Sequence, residues 1–101
     1  MKKKDLPSLV EAIREAMLLA EKVAKETPDH GSCNLDRVML HLTRRWQAPL
    51  DAEGIKTFEL GNALALSASW GMANSNTAAC QAAAKHLTDK GFSAYVWYQI
   101  D

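Results

Sequence analysis

The chain is short of several things, and each shortage narrows what it can be. It has only two cysteines, Cys33 and Cys80, in 101 residues, too few for the disulfide framework of a small secreted domain. Two cysteines can still pair, but a reducing, cytoplasmic setting is the expectation. It has no surplus of charge either, because 12 Lys plus Arg balance 12 Asp plus Glu. A protein that grips nucleic acid through its phosphates needs a basic excess, so no nucleic-acid partner is expected. No apolar run reaches the ~20 residues of a membrane-spanning helix, so no membrane partner is expected. Met1-Lys2-Lys3-Lys4 leads into Asp5, Pro7 and Glu11 and not into the apolar core of a secretory signal.

What is present is the balance of an ordinary globular domain, 48% hydrophobic and 24% charged. The length suits one domain over residues 1–101, with residues 1–5 as a flexible basic tail. The first helix is expected over Pro7–Lys25, where Leu9, Ile13, Met17 and Ala20 form one stripe. Ser8 or Asp5 can cap it, and Thr27-Pro28 must end it.

A polar loop, Pro28 to Asn34, precedes a strand over Asp36–Leu42, with Val38, Leu40 and Leu42 on one face. Thr43 to Gly54, with Trp46 and Leu50, reads as an irregular connector or short helix. A second strand over Ile55–Leu60 then meets Gly61-Asn62, a tight hairpin signal, and a third runs from Ala63 to Ser69. Gly71 to Thr77 leads into an alanine-rich helix, Thr77–Asp89, that Gly91 ends. The last strand covers Phe92–Ile100. The expected fold is α+β: a four-stranded mixed sheet with two helices packed on one face, in the order helix-strand-strand-strand-helix-strand.

If the connector and the alanine-rich helix are both crossovers, each joins parallel strands. One edge of the sheet then collects the start of the first strand and the ends of the third and fourth. Those are the most polar stretches, His30 to Asp36, Gly71 to Thr77, and Gln99 to Asp101. A helix start offers unsatisfied N–H groups and partial positive charge, which suit phosphate or carboxylate. Asn74, Ser75, Asn76 and Thr77 add side-chain hydrogen bonds, and Gly71 removes bulk where a ligand would approach. The competing reading is plain capping, with Asn74, Ser75 or Asn76 as the cap. Asn34, Asp36, Gly71, Asn74, Ser75, Asn76, Thr77, Gln99 and Asp101 are therefore the candidate ligand-binding residues. Asp36 and Asp101 would accept from ribose or base donors, with Trp70 as a stacking platform.

Cys33 supports three readings: a nucleophile with His30 as base and Asp36 orienting it, one arm of a metal site with His30 and a further ligand among His41, Cys80 and His86, or a small buried side chain beside turn-capping Asn34 and Asp36. The last is the default, so neither catalytic residues nor a metal is assigned, and no cofactor is expected. Arg37 lies nearest the polar edge and suits a bidentate anion. If the helices cover Val38, Leu40, Leu64, Leu66, Phe92, Val96 and Tyr98, the other face shows Met39, Tyr95 and Trp97. Tyr95 and Trp97 then mark an interface across that face or along the last strand, for a homo-oligomer or a partner, unless the connector folds over them.

Gly31-Ser32-Cys33-Asn34-Leu35-Asp36 and Gly91-Phe92-Ser93-Ala94-Tyr95-Val96-Trp97-Tyr98-Gln99-Ile100-Asp101 together resemble small uncharacterised bacteriophage and prophage proteins. That resemblance implies a compact protein that sequesters a host signalling nucleotide or a host protein. The expectation is a non-enzymatic, oligomeric protein binding a small anionic, nucleotide-like ligand. The alternatives are a protein–protein inhibitor using the aromatic face, or a small Cys33-dependent enzyme.

Overall fold

The computed structural model describes residues 1–100. It is an α+β fold in which three helices accompany a four-stranded sheet: α1 (Leu6–Glu26), β1 (Arg37–Leu40), α2 (Gln47–Ala52), β2 (Thr57–Leu60), β3 (Ala63–Leu66), α3 (Asn74–Asp89) and β4 (Ala94–Trp97). Each strand is shorter than its apolar run, since regular pairing stops where the chain turns to polar contacts. Lys3–Asp5, expected as tail, forms a 3-10 turn that runs into α1, with the Lys2 N–H donating to Asp5 Oδ2. Thr27 leaves the helix in extended conformation before Pro28.

The sheet order is β2-β3-β1-β4, and every neighbouring pair is antiparallel. The expected mixed sheet is thus corrected. The strand directions nevertheless follow the crossover reasoning, with β1 and β2 running one way and β3 and β4 the other. Each crossover skips a strand, so parallel strands are separated by an antiparallel one and never become neighbours. Gly61, at φ 62°, turns the β2–β3 hairpin. Gly91, at φ 92°, ends α3 in a Schellman arrangement, with the Phe92 N–H donating to the Leu87 carbonyl at 3.0 Å.

One core lies between the sheet and the helices. Leu9, Ile13 and Ala20 of α1 and Ala79, Cys80, Ala83 and Leu87 of α3 are buried in one cluster with Val38, Leu40, Leu64 and Leu66. Trp46 and Leu50 join this core, so the connector does not fold over the open face. The alanines of α3 let it approach both α1 and the sheet closely. His86 Nε2 also meets Glu15 at 3.0 Å, tying α3 to α1.

On the open face, Met39 and Ala65 are fully buried beside Leu60 and Tyr95. Met39 was expected exposed, but small Ala63 and Ala65 on β3 leave a trough that its larger neighbours close. His41 also lies on this face, its ring 4.5 Å from that of Tyr95 and its Nδ1 paired with Ser93 Oγ. Tyr98, expected in the core, is exposed because it lies beyond the end of β4. No helix among the described residues is long and apolar enough to cross a membrane.

Candidate functional site

The three polar segments meet as the strand directions require. The Asn34 N–H donates to the Met72 carbonyl at 2.9 Å, and the Leu35 N–H donates to the Gln99 carbonyl at 2.6 Å. What they build is a hub of mutual hydrogen bonds. Asp36, only 4% exposed, accepts from the Gln99 backbone N–H at 2.8 Å and from Thr77 Oγ1 at 2.7 Å. Fully buried Asn76 donates through Nδ2 to Asn34 Oδ1 at 2.9 Å and to the Asp36 carbonyl at 3.1 Å. Its Oδ1 accepts the Trp70 N–H at 3.1 Å. Asn34 completes the ring by donating to the Ala73 carbonyl and to Thr77 Oγ1, while its Oδ1 also takes the Asp36 N–H.

The start of α3 differs from expectation. The helix begins at Asn74 and not at Thr77, so Asn74, Ser75 and Asn76 lie inside its first turn, and none of them is the cap. Ala73 occupies the cap position without a capping side chain, and the first turn holds no acidic residue. The missing carboxylate comes from the loop after α1. Asp29 Oδ1 accepts the Ser75 N–H at 2.8 Å, the Ser75 hydroxyl at 2.6 Å and the Ala73 N–H at 3.2 Å. The place an anion would take at this helix start is held by the chain's own carboxylate. The Ser75 hydroxyl and then its backbone N–H hold Asp29 below the usual 3.8. A lowered folded pKa stabilises above the unfolded value, so this contribution is present above pH 3.8 and is lost as acid titrates Asp29 below it. Asp29 went unrecognised in the sequence because 44 residues separate it from Ala73.

Each remaining candidate has a definite place. Asn74 is exposed, and Gln99 enters the hub by its backbone while its side chain accepts from Trp97 Nε1. Asp101 lies outside the described residues. Trp70 packs against the main core, and Arg37 donates to the Asp36 carbonyl at 3.1 Å. Tyr95 is half-buried and Trp97 exposed. Gly71 is needed for a reason other than ligand access, since a Cβ there would lie 2.7 Å from Ser75 Cβ and closer still to its hydroxyl. Gly71→Ala is expected to push Ser75 off Asp29 and cost about 1–3 kcal/mol, the range for overpacking; urea unfolding measures it.

Compared with known proteins, the chain matches no family model, no curated protein and no solved structure. Chemistry at this end of the molecule is therefore read from its own atoms.

Among the described residues, one buried side-chain polar atom has no partner, Thr57 Oγ1 on β2, and it is not part of the hub. The hub is internally satisfied. Around it stands a collar of apolar side chains: Met72 is 65% exposed, Tyr98 61% and Ile100 81%, with Leu35 over a third exposed. Tyr98 and Ile100 line a groove of about 540 Å³ together with Ser32, Asn34, Asp36, Thr77 and Gln99.

Cys33 is exposed, which corrects the expectation of a buried side chain; Cys80 is the buried cysteine. Among the described residues no cluster of three His, Cys, Asp or Glu side chains could hold a metal ion. Burial, reinforced by the Asp36 charge, pushes the Cys80 thiol from 9.0 up to about 12. A folded pKa raised above the unfolded one leaves stability intact below pH 9.0 and removes it as pH rises toward 12. Cys80→Ala is expected to lose stability less steeply over that window in pH-dependent thermal unfolding. Iodoacetamide should label one thiol per native chain, Cys33.

Proposed function

We propose that the protein is a non-enzymatic binding protein, acting in the cytoplasm, whose contact surface is the apolar collar of Leu35, Met72, Tyr98 and Ile100. The observation that carries this reading is a contrast at one end of the sheet. The polar side chains there are engaged with one another, and the large apolar ones are exposed. Exposed apolar area at one end of a domain favours contact with another macromolecule's apolar surface. A rigid hub beneath it holds the loops in place before contact, which reduces the ordering entropy of binding. The partner class is a protein, as for an inhibitor or adaptor.

A second reading is favoured by the groove. Asn34, Asp36, Thr77 and Gln99 all line it, and Tyr98 offers a ring for stacking. A small anionic, nucleotide-like ligand seated there would fit the phage-type sequestering protein that the resemblance implies.

The test is native mass spectrometry of the protein purified from its own cells, followed by denaturing extraction. The first reading expects a complex with a polypeptide other than this chain, lost in Met72→Ser/Ile100→Ser while the far-UV circular dichroism is unchanged. A small-molecule adduct that survives this double substitution overturns it in favour of the groove. A complex with a polypeptide other than this chain that is indifferent to the substitution overturns the collar as the contact surface.

A further inference from the structure

The two outer strands of the sheet are differently equipped. β2 carries Glu59, paired with Arg44 at 3.6 Å, and follows Lys56. β4, at the opposite edge, lies in a segment from Ser93 to Ile100 that has no charged residue and no proline. Its register against β1 runs without a bulge from Leu40↔Ala94 to Arg37↔Trp97. Charges, prolines and bulges are the devices by which edge strands avoid pairing with other strands, and β4 has none of them.

The hydrogen bonds show which backbone groups are free for such pairing. The His41 N–H donates to the Ser93 carbonyl at 3.1 Å and the Leu35 N–H to the Gln99 carbonyl. The backbone groups of residues 93, 95, 97 and 99 therefore face β1. In an antiparallel pair the alternate residues turn theirs away, so Ala94, Val96 and Tyr98 present N–H and C=O groups outward.

We infer that β4 of a second copy occupies this edge, antiparallel, with the two-fold axis at Val96. Val96 then exchanges hydrogen bonds with Val96 of the second copy, and Ala94 with Tyr98 of the second copy, through the outward-facing groups. This register sets Tyr95 opposite Trp97 of the second copy, and Trp97 opposite Tyr95. Those are non-hydrogen-bonded positions, where side chains come closest and aromatic cross-strand pairs stabilise a sheet. The strand is its own complement because both residues flanking Val96 are aromatic and lie on the open face. With 12 positive and 12 negative side chains per chain, no net charge opposes the encounter. The product is one continuous eight-stranded antiparallel sheet. It uses the backbone of Tyr98, whose side chain belongs to the collar, and sets the two collars at opposite ends of the dimer.

The test is light scattering coupled to size exclusion on the full chain at micromolar concentration. Wild type is expected at twice 11.1 kDa. Tyr98→Pro removes one outward N–H at an exposed residue, and Trp97→Lys removes an aromatic partner. Both are expected to halve the mass while circular dichroism stays unchanged. Val96→Cys in a Cys33→Ser background is expected to form a disulfide-linked dimer on oxidation, because its sulfurs meet at the axis. A wild-type monomer overturns the inference. So does a dimer that keeps its mass in both variants, or a folded Val96→Cys/Cys33→Ser protein that stays single-chain.

Discussion

Replacing Asp36 by Ala is expected to lower the unfolding free energy by about 2–4 kcal/mol, from the cost of leaving buried donors unpaired. The carboxylate accepts two hydrogen bonds from elements far apart in the chain, Thr77 on α3 and the Gln99 backbone after β4. Alanine leaves the part-buried Gln99 N–H without its acceptor and leaves the Thr77 hydroxyl only the longer bond to the Ala73 carbonyl, at 3.4 Å. Asp36→Asn should lose about half as much, because one amide oxygen can still accept the Gln99 N–H. Urea unfolding at constant m-value reads both. A domain of this size holds only about 5–15 kcal/mol in total, so Asp36→Ala should melt conspicuously early. An effect below ~0.5 kcal/mol, the level of ordinary surface substitutions, would show that the hub contributes nothing to the fold.

Asn76→Ala is the second large effect, expected at about 2–4 kcal/mol for the same reason. Asn76 is fully buried and works as donor and acceptor at once, with Trp70 on one side and Asn34 and Asp36 on the other. This duality sets the order of the variants. Asn76→Asp keeps the acceptor for Trp70 but turns a second oxygen toward Asn34 Oδ1 and the Asp36 carbonyl. It should therefore be less stable than Asn76→Ala, although it is the closer isostere. The combined Asp36→Ala/Asn76→Ala protein should lose less than the sum of its parts, since both act on one network. Strict additivity would mean that two separate clusters, and not one hub, join these loops.

Periodicity located α1, β1, the hairpin and β4, and two crossovers fixed strand directions, which sufficed to bring residues 34–36, 71–77 and 99 together. Strand order lay beyond such reasoning, because a crossover that skips a strand has the same local sequence as one that does not. α3 starts at Asn74, three residues before Thr77, for a physical reason. Asn74, Ser75 and Asn76 favour caps in isolation, but Asp29 reaches across from the α1 loop and lets the helix begin before them. Propensity sees the first turn and cannot see a carboxylate that arrives in space. Met39 was misjudged similarly, since its burial depends on alanines of a neighbouring strand.

The excess of polar side chains at the α3 start, read as spare capacity for a ligand, proves to be the wiring that joins β1, α3 and the end of β4. Asp29 makes this distinction measurable. The decisive measurement is thermal unfolding of the wild-type protein in rising inorganic phosphate, and separately in nucleoside diphosphate, at fixed ionic strength. With the Asp29 carboxylate seated on the Ser75 and Ala73 N–H groups, nucleoside diphosphate should not shift Tm, and phosphate should give only the non-saturating rise that sulfate also gives. A saturable rise in Tm in the wild type that Ser75→Ala abolishes would contradict the account, because the α3 start would then bind an external anion in place of Asp29.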